Sequence, residues 1–253
     1  PQPQGWLRRV VEIVRSNGAQ WIADEVMTGF GRTGVGEAAG KSASEKTSKR
    51  AGGNPSIARS PTHPLTHSLP LFASHHEGVQ PDFLALAKGM TGGYLPMAAT
   101  LTTQEVFDAF LGEYGEFKTF FHGHSFTGNQ LGAAASLASL KLLQRRASAR
   151  DRSRLQRTIT SLLPTLWPLQ KIGDIRQVGL IVGVELVRDW RTRKPFDLRE
   201  RAGARVCEAM ARRGVLTRPI GNVIVLMPPY CTTDEQMERM ISALGQSIRE
   251  VLG

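Results

Sequence analysis

Residues Phe83-Leu84-Ala85-Leu86-Ala87 form an unbroken apolar run that ends in one cation, Lys88, and a glycine-punctuated turn, Gly89-Met90-Thr91-Gly92-Gly93. This stretch restricts the fold more than any other. A short apolar run closed off by turn residues reads as a strand covered on both faces, and such strands belong to parallel sheets flanked by helices. Lysine is seldom buried without a partner, so Lys88 at the end of that strand has two readings. Either it closes the strand and reaches into water, or it is a nucleophilic amine whose charged form desolvation disfavours. The glycines at 89, 92 and 93 remove side chains around it and would let a flat ligand approach the backbone.

The segment before it points to the same layered arrangement. Leu7, Val10, Val11 and Val14 recur at helical spacing among arginines and Glu12, and Asn17-Gly18 is a helix stop. Trp21-Ile22-Ala23 then runs as a strand into the acids Asp24 and Glu25. A helix followed by a buried strand predicts an α/β fold with a mostly parallel sheet, in which sites collect at the carboxyl ends of strands. Asp24 and Lys88 both fall at such ends. The loop Gly29-Phe30-Gly31-Arg32-Thr33-Gly34 is glycine-rich, but it is not the phosphate-binding pattern that follows a strand in dinucleotide folds.

Net charge is +10, and its location matters more than its size. Residues 34–71 hold five basic residues against Glu37 and Glu45, and residues 141–157 hold seven against Asp151. Neither segment contains an aromatic residue, so neither has the interleaved pattern of a nucleic-acid surface, and no nucleic-acid partner is expected. Residues 35–71 are rich in Ser, Lys, Gly, Ala and Pro without apolar period, and read as a disordered insertion. No apolar run approaches bilayer length, and residues 1–6 carry no secretory apolar core. Cys207 and Cys231 are the only cysteines and lack metal-site spacing, so a reducing, cytoplasmic setting is expected.

Further on, residues 98–101 read as a strand, and Thr102 or Thr103 caps a helix through Val106, Phe107, Phe110 and Leu111. Thr119 to Asn129 is a glycine-rich loop between aromatics, and a small-residue helix follows to Leu143. A charged helix over 146–168, strands at 175–178 and 180–187, a helix over 198–213, strands at 215–217 and 223–226, and an amphipathic helix over 234–252 predict a smaller α+β domain. The expected division is 1–145, interrupted at 35–71, and 146–253. His122-Gly123-His124 resembles a metal pair, but no third ligand at plausible spacing accompanies it, so no metal is expected.

Four motifs occur in order: Asp24-Glu25-Val26-Met27-Thr28-Gly29-Phe30-Gly31-Arg32-Thr33-Gly34, Ala87-Lys88-Gly89, His122-Gly123-His124-Ser125-Phe126 and Arg218-Pro219. Together they resemble the class III, pyridoxal-phosphate-dependent aminotransferases of fold type I, over residues 5–34 and 72–253. The resemblance implies that Lys88 forms the covalent link to the cofactor and then shuttles a proton. By the same resemblance, Asp24 holds the pyridinium nitrogen protonated and Val26 packs on the ring face. Gly123, His124 and Ser125 belong to a loop that contacts substrate and cofactor phosphate from a neighbouring subunit, which implies a homodimer with shared sites. Arg218 holds the carboxylate of the keto acid as a bidentate pair. The segments LAKGMTGGYLPMAATLTT and RPIGNVIVLMPPY are similar to those members that aminate 8-amino-7-oxononanoate in biotin synthesis. The family is much longer, and the chain is expected to begin in the middle of the large domain. Val225 stands where relatives using S-adenosylmethionine can carry tyrosine, which leaves S-adenosylmethionine and lysine open as donors. A transaminase of ω-amino acids or diamines, and an inactive dimerisation fragment, are the alternatives.

Overall fold

The structure is a computed structural model that describes residues 2–34 and 70–253. The insertion read at 35–71 therefore lies outside the described residues, apart from its last two. The first helix, α1 (Trp6–Ser16), buries Val11 and exposes its arginines. No local side chain caps it. Instead the Glu77 carboxylate accepts from the backbone N–H of Gly5 at 3.0 Å and of Arg8 at 2.7 Å, satisfying donors that a helix start leaves unpaired.

Strands β1 (Ile22–Asp24), β2 (Phe83–Leu86) and β3 (Ala99–Thr102) form one sheet in that order. β1 and β2 are parallel, with Asp24 opposite Ala85. β3 joins antiparallel, because the chain after β2 folds into a one-turn 3₁₀ helix at Lys88–Met90 and further bends rather than a crossover helix. Thr103 caps α2 (Gln104–Asp108) by accepting from the Val106 N–H, and Asn129 caps α3 (Gln130–Leu143). Among the described residues, a small cluster lies beneath this sheet: Phe30, Leu86 and Met90, with Phe72, Leu84, Met97, Leu140 and Leu143 against them.

The second portion is packed more completely. α4 (Arg146–Leu162), β4 (Ile172–Val178), β5 (Ile181–Asp189), β6 (Lys194–Pro195), α5 (Ala202–Arg212), β7 (Arg218–Ile220), β8 (Val223–Leu226) and α6 (Asp234–Leu252) follow in order. β4, β5, β8 and β7 are antiparallel neighbours, and β6 pairs with β5. α4, α5 and α6 contribute Leu155, Ile159, Met210, Leu244 and Ile248 to one core with Leu180, Val182, Val184 and Ile224. Two sequence expectations shift here. The helix expected from 198 is interrupted at Arg201, whose φ of 51° follows a 3₁₀ turn closed by the Asp197–Glu200 capping box. The strand expected at 215–217 begins at Arg218, because the Val215 N–H is held by the carbonyl of Met210 at the end of α5.

Candidate active site

The parallel pairing of β1 and β2 places Asp24 and Lys88 at the carboxyl ends of adjacent strands, Asp24 in register three residues before the lysine. Asp24 is exposed, and its Oδ1 accepts from the Val26 N–H at 3.0 Å, which fixes the carboxylate at the start of the loop. Its neighbour Glu25 has a different task. It is buried, and its two oxygens accept from the backbone of Ser74 at 2.8 Å, of Ala73 at 2.9 Å, and from the Thr28 hydroxyl. Glu25 thereby ties the loop after β1 to the segment that caps α1.

Lys88 is exposed, with a left-handed backbone at φ 46°. Of the two readings of Lys88, the side chain takes the one that reaches into water: Leu86 is buried, but the chain turns outward after it. The turn itself is rigidly seated. A side chain at Gly89 would meet the Phe30 ring at 2.8 Å, and the Gly89 carbonyl accepts from the Ser139 hydroxyl at 3.1 Å. Thr91 is buried and donates to the Leu95 carbonyl at 2.6 Å. Gly92 and Gly93 have φ of 64° and 86°, and around Gly93 the space is open. An amine and a carboxylate at adjoining strand ends suit a cofactor that carries a carbonyl and a basic ring nitrogen.

The other sequence candidates are not gathered at this point. Val26 is half-buried just beyond Asp24. Gly123, His124 and Ser125 lie on an exposed loop, where His124 Nδ1 accepts from the Phe126 N–H at 3.1 Å and Thr127 Oγ1 from the His124 N–H at 2.9 Å. Arg218 is exposed on β7, directly across from Val225 on β8. Both line a cleft of about 380 Å³ with Leu216, Met227, Pro229 and Met240. Among the described residues, no hydrogen bond joins Arg218 or His124 to Asp24 or Lys88, and no group of three metal-ligating side chains occurs.

The two portions meet through contacts that no local sequence pattern marks. The Arg32 carbonyl accepts from the Leu180 N–H at 3.0 Å, and Gly34 and Gly179 approach so closely that a side chain on Gly179 would meet the Gly34 nitrogen at 2.3 Å. Arg32 stacks on the Tyr230 ring at 4.4 Å, and Arg152, only 4% exposed, lies 5.6 Å from the same ring. Burial pushes both guanidiniums below their ordinary range, and the Tyr230 phenolate form would oppose this. Tyr230 follows two prolines, and nothing in its local sequence marks it.

A mixed sheet with a lysine and an acid at adjoining strand ends, followed by an antiparallel sheet backed by helices, is the architecture of fold type I pyridoxal-phosphate-dependent transferases. The chain belongs to the family described as Aminotransferase class-III, which matches residues 68–248, and this family depends on pyridoxal phosphate. It is 44% identical, over 98% of its length, to the adenosylmethionine-8-amino-7-oxononanoate aminotransferase of Anoxybacillus flavithermus, covering 47% of that protein. The enzyme of the same name from Geobacter sulfurreducens is 44% identical over 100% of the chain and 48% of the relative. The crystal structure of the Methanocaldococcus jannaschii enzyme superimposes with a TM-score of 0.82 at 36% identity, over 99% of this chain and 50% of that one. An omega-transaminase from Thermomicrobium roseum gives 0.78 at 25% identity, over 99% and 48%. The chain thus spans about half the length of the relatives it matches.

Proposed function

We propose that the protein transfers an amino group to 8-amino-7-oxononanoate with pyridoxal phosphate as cofactor. The observation that carries this reading is the placement of Asp24 and Lys88 at the carboxyl ends of parallel neighbours, in a chain similar to enzymes named for that substrate. The bound cofactor supplies an electron sink for the bond being broken. Lys88 anchors it and moves the proton at the substrate carbon. Asp24, held by the Val26 N–H, would pair with the ring nitrogen, and Val26 would pack on the ring. His124 and Ser125 reach the cofactor phosphate and Gly123 the substrate, from the second subunit of a homodimer. Their exposure here, with Phe120, Phe121 and Phe126 beside them, supports that assignment.

Arg218 at the rim of an apolar cleft suits a substrate with a carboxylate at the end of a hydrocarbon chain. In this reading Val225 is the donor-sensitive position, and its pairing with Arg218 across the strands supports a role next to the carboxylate. The names of the relatives favour S-adenosylmethionine over lysine as donor. The chain divides at about residue 145 into a cofactor-binding portion and a smaller domain, and acts in the cytoplasm. Among the described residues no helix is long and apolar enough to cross a membrane.

The test is amination of 8-amino-7-oxononanoate with a panel of donors. Turnover with S-adenosylmethionine or lysine is expected, and Arg218→Lys is expected to raise KM for the keto acid about tenfold or more, since a single ammonium cannot reproduce a bidentate pair. Reactivity with ornithine or 4-aminobutyrate alone would replace this substrate with an ω-amino acid or diamine. The exposed aromatic loop favours one further reading, a dimerisation module without turnover, which activity dependent on Lys88 excludes.

A further inference from the structure

Two non-glycine residues in left-handed conformation, Phe30 (φ 61°) and Lys88 (φ 46°), sit on either side of one contact. The Phe30 ring, buried against Phe72 at 5.7 Å, fills the space where Gly89 would otherwise carry a side chain. Side chains adopt such backbone angles only where the surroundings enforce them, and clusters of them mark working parts of a molecule. For Phe30 the enforcing group is visible. The Tyr230 hydroxyl, from the loop after β8, donates to the Phe30 carbonyl at 2.9 Å. Tyr230 is in turn fixed by Arg32 and Arg152 against its ring, and Arg32 donates to the Pro228 carbonyl at 2.5 Å. Burial raises the phenol above its ordinary value, against the opposing pull of Arg32 and then Arg152, so the hydroxyl keeps the proton it donates.

We propose that Tyr230 is a positioning residue for Lys88: it locks Phe30, and the Phe30 ring holds the Gly89 turn that carries the lysine. The inference rests on the reading of Lys88 as the cofactor-anchoring amine. It makes the second portion of the chain part of the machinery that aims the amine, although its core lies elsewhere.

Tyr230→Phe removes the hydroxyl and leaves the ring between its arginines. Hydrogen exchange reads the turn without any cofactor, through the Met90 and Thr91 amides, which donate to Ala87 and Lys88. Loss of one hydrogen bond is expected to speed their exchange about threefold to tenfold. The amides of Val182 and Val184 should be unchanged, as should those of Met90 and Thr91 in Ser161→Ala, which removes an exposed hydroxyl that donates to the Thr158 carbonyl of its own helix. With pyridoxal phosphate added below saturation, the fraction trapped on Lys88 by borohydride should fall by a similar factor. Phe30→Leu, which keeps the site apolar but withdraws the ring from Gly89, should reproduce the effect if Tyr230→Phe does not fold. Wild-type exchange at Met90 and Thr91 in a folded variant overturns the proposal. Failure of the wild-type chain to take cofactor at Lys88 overturns the functional reading instead, and leaves the exchange result to decide Tyr230.

Discussion

The two portions of the chain bury their apolar residues to different degrees. In the second, Leu155, Leu180, Leu186 and Leu244 are all 0% exposed, and three helices close over a four-stranded antiparallel path. In the first, Leu101, Phe107, Phe110, Phe117 and Phe121 stand in solvent, and Tyr114 is 94% exposed. Some of these rings meet one another, Phe110 against Phe120 and Phe117 against Tyr114 and Phe121. The second portion is closed over a continuous core, whereas the first leaves large apolar side chains uncovered.

Truncations test the contrast most strongly. Leu155→Ala removes a side chain from the closed core and is expected to cost roughly 2–5 kcal/mol of unfolding free energy. Leu101→Ala, on the open sheet, should stay within about 0.5 kcal/mol. Denaturant titration of both variants measures this, and equal losses would break the comparison. Next in size is the junction. Gly179 has φ 57° and faces the backbone of Thr33 and Gly34. Gly179→Ala is expected to cost on the order of 2 kcal/mol, through strain and forced separation. Hydrogen exchange should show the loop 29–34 released while β5 stays protected.

The smallest effect is a pH dependence in the first portion. His76 contacts the Thr33 hydroxyl at 2.9 Å, and desolvation lowers its pKa against the opposing charge of Glu25. A lowered folded pKa means that the unfolded chain binds the proton more readily. His76 therefore contributes stability that is present above the ordinary value of about 6.5 and is lost as pH falls through the folded pKa. His76→Gln should flatten the stability profile in that window, as read by melting temperature against pH. An unchanged slope would place the acid sensitivity elsewhere.

Much of this arrangement was legible in the sequence. Apolar spacing located α1 and α6, small residues and charge located α3 and α4, and the apolar runs located β1, β2, β5 and β8. The strand-end positions of Asp24 and Lys88 followed from the same runs, while the roles proposed for them came from the family resemblance. Other features depended on tertiary contacts that no local pattern encodes. Glu77 caps α1 from across the chain, and Arg201 breaks a helix whose pattern continues through it. Val215 is buried, as an apolar position should be, yet a helix-end hydrogen bond keeps it out of the strand. Tyr230 carried no signal, because its role is defined only by the arginines and the carbonyl it meets.

The central claim concerns one amine. The chain is incubated with excess pyridoxal phosphate, reduced with borohydride and mapped by peptide mass spectrometry, in wild type and Lys88→Ala. The account predicts a phosphopyridoxyl group concentrated on Lys88 and lost in the variant, with the fold intact because Lys88 is exposed. Modification spread over the other lysines, and unchanged by Lys88→Ala, would contradict it.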